Sequence, residues 1–109
     1  RAVVTIRFVG RAEARHLNRT FRERDYATNV LTFAYTSAQG DLVLCAPVVA
    51  REARAQGKPG HAHYAHLVVH GLLHMLGHDH VRPAAARIME DRERAVLARL
   101  GYADPYEHR

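Results

Sequence analysis

The run His70-Gly71-Leu72-Leu73-His74-Met75-Leu76-Gly77-His78-Asp79-His80 constrains this chain more than any other segment, because it places imidazoles at metal-ligand spacing along an apolar helix. Residues four apart on a helix share one face and lie about 6 Å apart along the axis, so His70 and His74 can both address one ion. Gly77 suits the left-handed conformation that ends a helix at little steric cost, and it turns the chain so that His80 approaches from a third direction. Three ligands then converge. Imidazole nitrogens suit zinc, and three protein ligands leave one tetrahedral position for water, which separates catalytic from closed structural sites. Zinc lowers the pKa of its water to about 7 and so supplies a nucleophile for carbonyl or phosphoryl centres at neutral pH. Hydrolysis is the expected reaction class.

Nine histidines in 109 residues produce some His-x3-His pairs by chance, so it is the Gly77 turn and His80 that make the pattern specific. His66 adds another four-residue step, but a helix rises about 12 Å between it and His74, too far for both to join one tetrahedral ion. It reads as core packing or as support for a neighbouring ligand. His78 competes with His80 as third ligand, while His61 and His63 fall in a loop-like run and read as solvated or structural. Metallopeptidases of the His-Glu-x-x-His type carry their general base directly after the first histidine; here that position is Gly71, which makes a zinc amidase or peptidase the lesser reading. Asp79 either orients an imidazole through its second nitrogen or caps the next turn.

A length of 109 residues with 48% hydrophobic content fits a single domain, 1–109, with one core. No stretch approaches the ~20 apolar residues that cross a bilayer, and the start of the chain lacks a charged-then-apolar signal pattern, so no membrane partner is expected and the cytoplasm is the expected compartment. Cys45 is the single cysteine; in its apolar run it reads as a small buried hydrophobe. A formal net charge of +5 and a pI of about 10.0 favour an anionic partner such as nucleic acid.

Alternation predicts a strand over 2–9, with Val4, Ile6 and Phe8 on one face. A helix is expected over 11–22 on the spacing of Ala14, Leu17 and Phe21, then strands over 29–35 and 41–45 joined by a tight turn at Gly40. The last two strands are expected to pair antiparallel, and the first two, joined through a helix, to run parallel. Pro47 opens a helix to about Gln56, ended by Gly57-Lys58-Pro59-Gly60. The histidine helix is expected over 63–76, largely buried through Leu67, Val68, Leu72, Leu73 and Met75. Pro83 opens the last helix, whose buried side is read as Ile88, Met89, Val96, Leu97 and Leu100 and whose solvated face as Arg87, Glu90, Asp91, Arg92, Glu93, Arg94 and Arg99. The fold class is α+β: a small mixed sheet of about three strands packed with helices around a buried ligand helix.

Other blocks accompany the histidine run. They are Asn18-Arg19-Thr20-Phe21-Arg22-Glu23-Arg24-Asp25 leading into Thr28-Asn29-Val30-Leu31-Thr32-Phe33, then Gly40-Asp41-Leu42-Val43-Leu44-Cys45, then Met89-Glu90, Leu100-Gly101-Tyr102 and Asp104-Pro105-Tyr106. Together, and in this order, they resemble the YbeY family of metal-dependent endoribonucleases over essentially the whole chain. The resemblance implies a cytoplasmic, single-strand-specific endoribonuclease acting in rRNA maturation, at the 3′ end of 16S rRNA, and in ribosome quality control. It implies one zinc ion on His70, His74 and His80, a functional arginine at Arg22, and the ribosome or its small subunit as partner. An arginine fork suits a phosphate and the charge developing on it; the plainer reading is a surface arginine on an amphipathic helix. Arg19 and Arg24 are weaker candidates for backbone contacts.

Two departures accompany the resemblance. Family members usually carry a strand and helix ahead of the segment that begins here at Arg1, so a piece of the fold is expected to be missing and a sheet edge exposed. Ala27 and Ala34 stand where proline is common. Besides the peptidase reading, a non-catalytic RNA-binding factor of the ribosome with a structural metal remains the alternative, and binding without cleavage would identify it.

Overall fold

A computed structural model describes residues 3–36, 38–78 and 81–107. Its elements are β1 (Val3–Val9), α1 (Arg11–Arg22), β2 (Val30–Thr36), β3 (Gln39–Cys45), α2 (Ala46–Gln56), α3 (Gly60–Met75) and α4 (Pro83–Arg99). This is an α+β fold around a three-stranded mixed sheet.

The sheet order is β1-β3-β2, and composition explains why β3 is central. A strand covered on both faces reads as a continuous apolar run, and Leu42-Val43-Leu44-Cys45 is such a run, buried throughout. Its side chains alternate between layers. Val43 and Cys45 join Val9, Ala14, Leu31 and Val48 in one cluster, against which Leu17 of α1 packs. Leu44 joins Val49 and Leu67 in a second cluster, with Tyr64 and Val68 of α3 beside it. So α1 and α3 cover opposite faces. Cys45 is buried, in keeping with the apolar reading.

β2 and β3 pair antiparallel, Val30 opposite Leu44, as the tight connection between them requires. The expected parallel pairing of the first two strands is wrong: β1 runs parallel to β3, Val9 opposite Cys45, and β3 lies between β1 and β2. Val9, Cys45 and Val30 stand at the same end of the sheet, and the Cys45 N–H donates to the Asn29 carbonyl at 2.9 Å. Helix α1 and residues 23–29 therefore return the chain to the end it left instead of crossing to the other. β1 and β2 are the two edge strands, and on β1 Val3, Ile6 and Phe8 are exposed.

Two further boundaries and faces differ from expectation. Helix α3 begins at Gly60, not near 63, because Pro59 in extended conformation caps it directly after α2 ends at a left-handed Gly57; His61 and His63 are thus helical. Within α3, Leu67 and Val69 are fully buried, while Val68, Leu72, Leu73 and Met75 are only half-buried. On α4 the buried residues are Met89, Glu93 and Leu97. Ile88 is 57% and Leu100 61% exposed, and Val96 is also exposed, so the buried stripe is narrower than read and includes a carboxylate assigned to the solvated face.

Candidate functional site

Helix α3 reaches the sheet through a missing side chain. A Cβ on Gly71 would stand 2.7 Å from Leu42 Cδ2 and 3.4 Å from Thr32 Oγ1, so only glycine lets the helix lie this close over β3 and β2. Position 71 therefore faces the core, while His70 and His74 line a neighbouring cleft. At the other wall, α1 ends with Arg22, whose guanidinium donates to the Thr32 carbonyl at 2.6 Å and stands 6.0 Å from the centre of the Phe33 ring. Strand β2 thus joins Arg22 to the histidine helix. The resulting cleft, about 350 Å³, is lined by Asn18, Arg22, Arg24, Thr32, His70 and His74 among others.

Local chemistry holds this wall in place. Glu23 takes the left-handed conformation, φ 57°, directly after Arg22, and its N–H closes on the Arg19 carbonyl to end α1. Asn18 is buried and donates from Nδ2 to the Tyr26 carbonyl at 2.9 Å, which pins residues 23–29 beside the cleft. Asn29 accepts from the Val30 N–H and donates to Glu52, joining the start of β2 to α2. Arg15 makes a two-pronged pair with Asp25, and Arg19 stands 3.9 Å from the same carboxylate. Of the two weaker arginine candidates, Arg24 lines the cleft and Arg19 pairs with Asp25.

The main electrostatic feature is Glu93, fully buried in α4. Its Oε1 accepts from His70 Nδ1 at 2.9 Å, and its Oε2 accepts from His66 Nε2 at 2.8 Å and from the Tyr106 hydroxyl. Burial by itself would raise the Glu93 pKa, but hydrogen bonds from His66, His70 and Tyr106 bring it down to about 2. An ionised carboxylate beside Nδ1 keeps the proton on that nitrogen and the lone pair on Nε2, the arrangement metal-binding histidines adopt. From the sequence, Asp79 is expected either to supply such a carboxylate or to cap the next turn. Asp79 lies outside the described residues, and the group beside His70 is Glu93. The signal was present: Glu93 is four residues from both Met89 and Leu97, on the face those two bury.

His80 also lies outside the described residues, and among the described ones no three His, Cys, Asp or Glu side chains form a metal-sized group. Gly77 has the expected left-handed φ of 97°, and the His78 N–H closes on the Leu73 carbonyl as a helix-terminating turn. His66 supports its neighbour through Glu93. His63 is buried and bonded to Glu52 at 2.9 Å, a structural tie between α3 and α2, and His61 is exposed.

A family model described as Endoribonuclease YbeY matches residues 1–101. The chain belongs to the YbeY family. A YbeY endoribonuclease of Aromatoleum aromaticum is 60% identical over 96% of this chain and 70% of its own length. One from Methylibium petroleiphilum is 59% identical over 96% of this chain and 72% of its own. Among solved structures, the solution structure of TM1509 from Thermotoga maritima shares the fold, with a TM-score of 0.63, 24% identity and coverage of 99% of this chain and 80% of that one. The YbeY match spans the cleft and Glu93 alike, so every residue placed above, Tyr106 excepted, falls within the matched segment.

Proposed function

We propose that this protein is a zinc-dependent endoribonuclease that hydrolyses phosphodiesters of single-stranded RNA, with one ion on His70, His74 and His80 and with Arg22 as the catalytic residue that contacts phosphate. The observation that carries the reading is the cleft that joins Arg22 to His70 and His74. The donor set fits zinc: two imidazoles one turn apart, one of them held by a buried carboxylate as the tautomer that offers Nε2. Bound there, zinc would supply Lewis acidity and a water of lowered pKa.

The chain's own residues would do the rest. Arg22 donates one N–H to Thr32, which fixes its plane, and a guanidinium has five N–H donors, so further donors serve phosphoryl oxygens as charge grows on them. Arg24 adds a cation at the same wall. A net charge of +5 favours association with a polyanion. The amidase reading loses ground, because position 71 is packed against Leu42 and a general base there would face the core. The endoribonuclease names of the relatives support RNA as substrate. From the family resemblance we extend the reading to 16S rRNA 3′-end maturation and ribosome quality control in the cytoplasm, with the small subunit as partner.

The test is elemental analysis of the purified chain, of His74→Ala and of Arg22→Ala, followed by incubation of each with single-stranded RNA. The parent should hold near-stoichiometric zinc and cleave. His74→Ala should lose both, whereas Arg22→Ala should keep zinc and cleave about 100-fold more slowly, the scale on which loss of one donor to a developing oxyanion acts. A folded parent that takes up no zinc would overturn the metal reading, and one that binds zinc and RNA without cleaving would leave an RNA-binding factor.

A further inference from the structure

Three donors meet on the Glu93 carboxylate, and they come from three places: His66 and His70 on successive turns of α3, and Tyr106 in the segment after α4. A carboxylate only accepts, so each partner must donate. That requirement fixes both rings, with the proton of His70 on Nδ1 and that of His66 on Nε2. The Tyr106 oxygen also lies 3.2 Å from His66 Nε2, so the hydroxyl gives its proton to Glu93 and offers a lone pair to the His66 N–H. Tyr106, Glu93 and His66 thereby close a small ring around Oε2, which leaves Oε1 directed to His70. The tyrosine is itself fixed: its ring packs edge-on to His66 at 5.3 Å, and the Arg94 guanidinium stands 5.2 Å from its centre. Arg94 is tied in turn to Asp104, whose carboxylate accepts the Tyr106 N–H.

We propose that Tyr106 is a positioning residue for His70: through Glu93 it holds the ring as the Nδ1–H tautomer, so that Nε2 is the nitrogen offered in the cleft. This rests on the metal reading above and extends it to the segment after α4. A residue that served only to pack the tail would alter stability and leave the tautomer of His70 untouched. A positioning residue alters the tautomer and the metal affinity together.

The experiment uses the full chain, metal-free and zinc-loaded, as parent, Tyr106→Phe and Glu93→Gln. Long-range nitrogen–proton NMR reads the His70 tautomer in the metal-free proteins, and competition against a chromophoric chelator reads zinc affinity. The parent should show a single Nδ1–H form at His70. Tyr106→Phe should show a mixture and bind zinc about 10-fold more weakly, and Glu93→Gln up to about 100-fold more weakly, the range found when groups behind a metal-ligating histidine are removed. An Nε2–H form at His70 in the parent overturns the proposal, as does Tyr106→Phe with unchanged tautomer and affinity. The phenylalanine keeps the ring in place, and melting curves report folding; were that variant unfolded, the parent tautomer and Glu93→Gln decide. A parent that binds zinc but does not cleave RNA defeats the nuclease reading and leaves this proposal standing. A parent that binds no zinc defeats both.

Discussion

Gly71 shows how much one side chain, or its lack, decides. A methyl group there would press on Leu42, which is fully buried, so the leucine and the helix over it must shift. Overpacking of this kind costs about 1–3 kcal/mol, so Gly71→Ala should lower the urea midpoint by a corresponding amount. Because α3 would have to lift from the sheet, zinc affinity should fall with it, and equal stability in parent and variant would contradict the close approach. Among single residues, the sequence yielded those whose meaning is local. The spacing of His70 and His74 follows from helical geometry, and the glycine after His70 was plain as the absence of a general base. What the glycine does instead was hidden, because Leu42 is remote in sequence. The same holds for Arg22, whose link to Thr32 and hence to α3 needs the sheet to exist.

At the scale of elements, α1 spans Arg11–Arg22 as its spacing predicts, and its end illustrates a compromise. Glu23 adopts a left-handed conformation that costs a residue with a side chain about 1–2 kcal/mol and costs glycine almost nothing. Glu23→Gly should therefore raise stability, by about 0.5–1 kcal/mol once the greater freedom of glycine in the unfolded chain is set against that gain. A thermal melt checks the sign, and a destabilised variant would mean that the glutamate side chain itself contributes. Strand positions were similarly legible from period-two alternation, but pairing was not: residues 23–29 carry no pattern that says to which end of the sheet they return the chain. Helix α4 departs from its pattern for a different reason. Apolar residues predict its buried face, yet Ile88 and Leu100 are exposed while Glu93 is inside, because two histidines and a tyrosine from elsewhere satisfy its carboxylate.

For the whole molecule, the helix that lines the cleft is tied down on two sides by groups that acid affects in the same direction. On one side His63 joins α3 to α2 through Glu52, and burial lowers the His63 pKa from its ordinary 6.5 against the opposing pull of that carboxylate. As pH falls below 6.5, the unfolded chain accepts a proton there that the folded protein resists, so stability present above 6.5 declines. On the other side Glu93 joins α3 to α4 and Tyr106, and it stays ionised down to about 2 where an unfolded glutamate takes its proton near 4.5. Its contribution is complete above 4.5 and is lost as pH falls toward 2. Unfolding free energy measured from pH 8 to pH 3 should therefore fall in two stages, each unmatched proton steepening the slope by about 1.4 kcal/mol per pH unit. His63→Gln should flatten the upper stage and leave the lower one, while Glu93→Gln should flatten the lower stage from a reduced starting stability. Both losses come from protons that the unfolded chain takes up, so the ties on α3 persist in the folded protein while its stability falls. The folded-state NMR signal of the Glu93 carboxyl should therefore hold its high-pH position through pH 4.5, and a shift centred there would show that its three donors do not hold the carboxylate ionised.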